Sequence, residues 1–173
     1  MNSWEDQKII PPFALHDEYA LAGFFGEYRF LSNFWPAEVE LKGLTFKSTE
    51  VAYQAAKCRK EKDMNRFIEL DSTQSKRLGR HLIEYGIEFD PKWEERKESL
   101  MGYLVMQKFS RHPELRKKLL DTQAKTLTES NSWNDRFWGV AHYLNSQGNW
   151  ISRGGENHLG QILMRTRNIL KIV

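Results

Sequence analysis

A chain of 173 residues can bury a core of its own, and 40% hydrophobic, 28% charged and 13% aromatic residues describe a globular protein rather than a disordered, fibrous or membrane-embedded one. A single cysteine, Cys58, excludes an internal disulfide and a cysteine-rich zinc site, while a formal net charge of +3 neither requires nor excludes a nucleic-acid partner. No apolar run approaches the roughly 20 residues that span a bilayer, and Met1 to Ile10 carries no basic-then-apolar leader, so a cytoplasmic protein in a reducing compartment is expected.

In chain order, residues 1–21 read as an N-terminal extension, because Pro11 and Pro12 interrupt any regular element. Residues 22–173 read as one domain, with no linker or repeat to divide them. Phe24 to Phe30 and Ala37 to Phe46 alternate as strands, the second turning at Gly43. From Ser48 the period becomes helical through Val51, Ala55 and Cys58, with Ser48 or Thr49 as the cap and Glu50 in the first turn. Cys58 is expected to pack there as a small hydrophobe.

Two shorter helices are expected around Asp63 to Leu70 and Thr73 to Tyr85. Asp90-Pro91 predicts the start of a helix of about 20 residues carrying Trp93, Leu100 and Leu104, because proline loses nothing at a first helical position. Pro113 opens a helix ending near Asp121, Lys125 to Glu129 returns as a strand, and the tail from Asn157 forms a helix with Leu159, Ile162, Leu163, Thr166 and Leu170 on one face. The sum is a mostly helical α+β domain with a small antiparallel-rich sheet.

Three segments hold residues suited to chemistry. In Arg29-Phe30-Leu31-Ser32-Asn33-Phe34, polar groups sit among aromatics: Arg29 offers a planar fork for phosphate and Asn33 both donors and acceptors. The same residues read equally as a strand end with a Ser-Asn turn. In Ser48 to Lys57, Glu50, Tyr53, Gln54 and Lys57 share one helical side, although the helix dipole alone favours a glutamate in a first turn. The third segment, Ser130 to Gly139, supplies Asp135 and two indoles, and Gly154 to Gly160 supplies glycines before a helix where a phosphate can approach. Asp135 as a turn residue and the glycines as a plain loop are the competing readings. Lys76, Arg77 and Arg80 form a basic helical patch that reads as a solvated face, and the five histidines have no metal-site spacing, so neither a metal nor a cofactor is indicated.

Taken together and in this order, Phe30 to Phe34, Ser48 to Lys57, Leu78-Gly79-Arg80, Trp93, Asp135 to Gly139 and Asn157 to Gly160 resemble the YbiA/NADAR family over roughly Phe24 to Leu170. The chain departs from that pattern at Thr49 and Val51 beside Glu50, at Val140-Ala141-His142, and at Glu156 before Asn157.

The resemblance implies a hydrolase of N-glycosidic bonds on phosphorylated ribosyl or ADP-ribosyl compounds, such as a riboflavin-pathway intermediate or ADP-ribosylated guanine in nucleic acid. It implies Glu50 and Asp135 as catalytic carboxylates, and Arg29, Asn33, Tyr53, Lys57, Trp93, Trp138, Gly139 and Asn157 as substrate-binding residues. The alternative is a non-catalytic module that binds ADP-ribose or a nucleotide through the same residues.

Overall fold

The computed structural model describes residues 10–172, so the first nine residues of the expected extension lie outside the described residues. Chain contacts gather into two units, one of residues 33–116 and one of the stretches up to Ser32 and from Lys117 onward.

The unit of residues 33–116 begins with an antiparallel hairpin, strands Val39–Leu41 and Leu44–Phe46, with Val39 opposite Phe46. Lys42 and Gly43 both take positive φ at the turn, a two-residue connection whose twist matches that of the strands. Helix α1 (Thr49–Ala55) follows, and Ser48 caps it by accepting a hydrogen bond from the Val51 amide at 3.2 Å. The expected helix stops short of Cys58: the Lys57 and Cys58 amides bond to Gln54 and Ala55 carbonyls three residues back, and the chain leaves to pair Cys58 with Phe89. Packed in that bridge, the Cys58 thiol is pushed up to about 11, chiefly by burial.

A single turn, α2 (Glu61–Met64), runs into a 3-10 turn over Asn65–Phe67 and stands where the helix around Asp63 to Leu70 was expected. Helix α3 (Ser72–Arg80) is shorter than its pattern suggests. Asp71 and Gln74 form a reciprocal capping box at its start, and after His81 the chain makes a separate 3-10 turn, Ile83–Tyr85, ended by Gly86 at φ 70°. Helix α4 (Trp93–Arg111) starts two residues later than Pro91. Asp90 instead closes a turn, accepting from the Lys92 amide at 3.0 Å and pairing with Arg96 at 2.8 Å. Helices α3 and α4 both pack on α1. Phe46, Val51, Phe67, Met101, Leu104 and Phe109 fill the interior of this unit.

In the other unit one strand pair joins segments distant in sequence and the rest join consecutive strands. Strands β1 (Leu15–His16) and β2 (Ala20–Ala22) pair antiparallel, and β2 pairs parallel with β5 (Thr126–Thr128); the hairpin Val39–Leu41 and Leu44–Phe46 above supplies β3 and β4. Strand β6 (Ser130–Asn131) lies parallel to β7 (Val140–Leu144), and β7 forms a hairpin with β8 (Trp150–Gly154) that the sequence analysis did not anticipate. Helix α5 (Pro113–Asp121) precedes β5 as expected, and the dividing point between the units falls within it.

Phe24 to Phe30 is not a strand. Gly26 takes φ 56° and the chain winds into a 3-10 helix, Gly26–Leu31. The 3-10 helix buries Phe30 and Leu31, and Phe24 and Phe25 are buried in the segment just before it. The closing helix, α6 (His158–Leu170), buries Leu159, Ile162, Leu163, Thr166 and Leu170 as its period predicts, and packs on β5. The fold class is α+β, with antiparallel hairpins between consecutive strands and parallel pairings of β2 with β5 and of β6 with β7. Among the described residues no helix is long and apolar enough to cross a membrane.

Candidate active site

In the unit of residues 33–116, the predicted residues converge on the start of α1. The Glu50 amide donates to the Asn33 carbonyl at 3.0 Å, which ties the Ser32-Asn33 segment to the first helical turn. Asn33 is buried, donates from Nδ2 to the Met101 sulfur at 3.3 Å, and has no hydrogen-bond partner for Oδ1. Glu50 is itself 6% exposed, and its Oε1 accepts from Gln54 Nε2 at 2.8 Å one helical turn along.

Burial raises the proton affinity of the Glu50 carboxyl, against the opposing pull of Lys76, the Gln54 hydrogen bond, Lys57 and Arg80. Burial likewise draws the Lys57 ammonium below its ordinary value; Glu50 works against this, while Arg80 and Lys76 add to it. A carboxyl taken out of water is therefore under the pull of three cations, Lys76, Lys57 and Arg80. Its surroundings carry surplus positive charge, the electrostatic condition for an anionic ligand.

Lys57 sits where pairing pins its backbone, since its carbonyl accepts from the Asp90 amide at 2.8 Å. Its ammonium lies over the rings of Tyr53 at 5.6 Å and Trp93 at 5.7 Å. Those two rings meet edge to face at 4.8 Å, so Tyr53, Lys57 and Trp93 form one aromatic-cation cluster at the end of α1. Arg77 and Arg80, read with Lys76 as a solvated face, are exposed, whereas Lys76 is half-buried and stands 5.1 Å over the Phe34 ring; Lys76 and Arg80 both act on Glu50 from α3. Gln54 had been placed on the side of α1 that carries Glu50, and Lys76 and Arg80 in a basic patch on α3, but nothing in the pattern tied that patch to Glu50.

In the other unit, Asp135 closes a tight turn. Its Oδ1 accepts from the Phe137 and Trp138 amides at 3.2 and 2.9 Å, and the Asn131 side chain both accepts from its amide and donates to its carbonyl. Trp138 packs edge to face with Phe137 at 4.9 Å, and Phe137 stacks on His158 at 4.2 Å. Gly139 lies so close to the Glu129 carbonyl that a Cβ would stand 2.0 Å from that oxygen.

Asn157, at φ 55°, donates from Nδ2 to the Leu127 carbonyl and accepts at Oδ1 from the Glu129 amide, so both ends of its amide are bonded to backbone. The His158 and Leu159 amides at the start of α6 donate to the Phe137 and Trp138 carbonyls. Arg29 lies within the 3-10 helix Gly26–Leu31. Among the described residues no group of three or more histidines, cysteines or carboxylates is arranged to hold a metal.

The family model described as the NADAR domain matches residues 22–171. The chain is 31% identical over 157 residues to the N-glycosidase YbiA of Escherichia coli, covering 89% of this chain and 87% of that one. It is 32% identical over 143 residues to a riboflavin biosynthesis protein of Vibrio vulnificus, covering 82% of this chain and 35% of the relative. The solved structure of the E. coli protein YbiA superposes with a TM-score of 0.68 at 28% identity, over 94% of each chain. A family match that runs unbroken from Ala22 to Lys171 and so takes in both carboxylate-bearing segments shows that this chain belongs to the NADAR family.

Proposed function

We propose that this protein is a hydrolase that cleaves the N-glycosidic bond of a small phosphorylated ribosyl compound. The observation that carries the reading is the buried Glu50 carboxyl under the pull of Lys76, Lys57 and Arg80, with Lys57 lying over the Tyr53–Trp93 pair. A ribosyl C–N bond breaks with positive charge building on the sugar, which an adjacent carboxylate stabilises. Surplus cations beside that carboxylate suit the substrate's phosphate. The E. coli relative is named an N-glycosidase and the Vibrio relative a riboflavin biosynthesis protein, which favours an early riboflavin-pathway intermediate over ADP-ribosylated guanine in nucleic acid.

In this reading Glu50 stabilises the ribosyl cation and takes a proton from the attacking water, a task helped by a proton affinity raised toward the working pH. Asp135 is the second carboxylate. Two backbone amides fix its Oδ1, and Oδ2 is left to orient water or the departing base. Trp93 and Trp138 stack on the base, Arg29 and Lys57 hold phosphate, Asn33 accepts from a sugar hydroxyl, and Gly139 and Asn157 shape the loop that carries Asp135.

The test offers purified protein both substrate classes and follows base release by mass spectrometry. Glu50→Gln and Asp135→Asn should each lower turnover by about 10²–10⁴-fold. Near-wild-type release by a folded Glu50→Gln protein overturns the reading. Ligand-dependent thermal stabilisation with no release of base would instead identify a binding module.

A further inference from the structure

Gln54 sits in an unusual place. It is 4% exposed, donates to Glu50 from Nε2, and its Oε1 has no hydrogen-bond partner. That oxygen presses on α3 at Gly79: a Cβ there would lie 2.0 Å from Oε1, 3.0 Å from Cδ and 3.1 Å from Cβ of Gln54. Glycine inside a helix is poorer than alanine, and Gly79 has no left-handed backbone to justify it. What the missing Cβ provides is a slot for the Gln54 amide. Confined in that slot, the amide cannot swing away from Glu50 without leaving the space over Gly79.

We propose that Gln54, seated over Gly79, is a positioning residue that fixes the rotamer of Glu50 and holds its carboxylate in the ionised form the reaction uses. This rests on the catalytic reading of Glu50 given above. The other charged groups that act on Glu50 are Lys76 and Arg80 from α3 and Lys57 from the turn after α1, while Glu94 of α4 bears on Lys57. All four remain in the variants below, so a change in the titration of Glu50 reports the amide contact.

Three variants separate positioning from packing. Gln54→Leu removes the donor. Gly79→Ala fills the slot; the atom it displaces most is the far end of a flexible side chain, so the fold should tolerate it while the contact to Glu50 is lost. The double variant Gly79→Ala with Gln54→Leu closes the cycle. Each single variant should lower kcat by up to about 10²-fold with KM changed far less, and the acid limb of the pH–rate profile should move to higher pH, because a hydrogen bond that favoured the ionised form is gone. Adding Gly79→Ala to Gln54→Leu should cost little more. Additive losses, or an unmoved acid limb, would overturn the proposal.

Two NMR titrations without substrate keep the proposal testable even if the variants fold poorly or Glu50 is not catalytic. In the wild-type protein the Gln54 side-chain amide should titrate with the midpoint of the Glu50 carboxyl carbon, and in Gly79→Ala that midpoint should rise. An amide blind to Glu50 ionisation sinks the positioning role. A coupled titration with a pH–rate profile that ignores it would instead place the failure in the catalytic reading.

Discussion

Replacing Glu50 by glutamine should stabilise the protein while removing its chemistry. Glutamine has nearly the same shape, and its Oε1 can still accept from Gln54 Nε2, which lies 2.8 Å from the carboxylate in the wild-type protein. What is lost is the attraction of Lys76, Lys57 and Arg80; what is relieved is the cost of burying a charge in a residue 6% exposed. Burial is the larger effect, since the carboxyl is shifted upward on balance, so relief wins. A stabilising single substitution commonly yields about 0.5–2 kcal/mol, and a chain of this size gains about 2–4 °C in Tm per kcal/mol.

The sign has a pH signature. Unfolded, Glu50 titrates near 4.5, and folded it titrates higher. Between those values the native state holds the extra proton, so wild-type stability falls as pH rises through the window and stays lower above it. The gain from Glu50→Gln should therefore vanish below pH 4.5 and reach its plateau above the folded value. Thermal melts of both proteins from pH 4 to pH 8 read this directly. A glutamine variant less stable than wild type at neutral pH, by a margin that does not change with pH, would refute the burial argument and make the three cations dominant.

Three further outcomes are expected. Ser48→Ala removes the cap of α1 and leaves Ser72 without its 2.8 Å hydroxyl partner, which should cost about 1–2 kcal/mol by chemical denaturation. Gly139→Ala should cost far more than Gly43→Ala: its Cβ would stand 2.0 Å from the Glu129 carbonyl oxygen, whereas at Gly43, with φ 75° and nothing within 4 Å, only about 1–2 kcal/mol of left-handed strain is at stake. Cys58 should react with a thiolate-selective alkylating reagent at pH 8 far more slowly than a free thiol until the protein is denatured, because a thiol pushed up to about 11 is about one part in a thousand thiolate there.

Much of the local structure was legible because its signals are local. Ser48 and the Val51–Ala55 period announced α1, Pro113 announced α5, and the apolar stripe from Leu159 to Leu170 announced α6. Errors came where a neighbour elsewhere in the chain, or a backbone angle, overrode the pattern. Phe24 to Phe30 alternates like a strand, yet Gly26 at φ 56° turns it into a 3-10 helix. Cys58 keeps helical spacing but leaves the helix to pair with Phe89. The β7–β8 hairpin was passed over, residues 140–153 having been given no element.

For the site, residue type and spacing on α1 were enough to place Glu50, Tyr53 and Lys57 on one side of a helix. Residue type had marked Asp135 in its loop and Trp93 on a helical stripe, but only the family pattern gave the two a role in a site. Only tertiary structure brought Lys76 and Arg80 to a buried carboxylate and seated Gln54 over Gly79, 25 residues further along the chain. The reason is physical: caps and periods are set within a turn or two of backbone, whereas a carboxyl's proton affinity is set by whatever replaces water around it, and that is decided by which distant segments pack there.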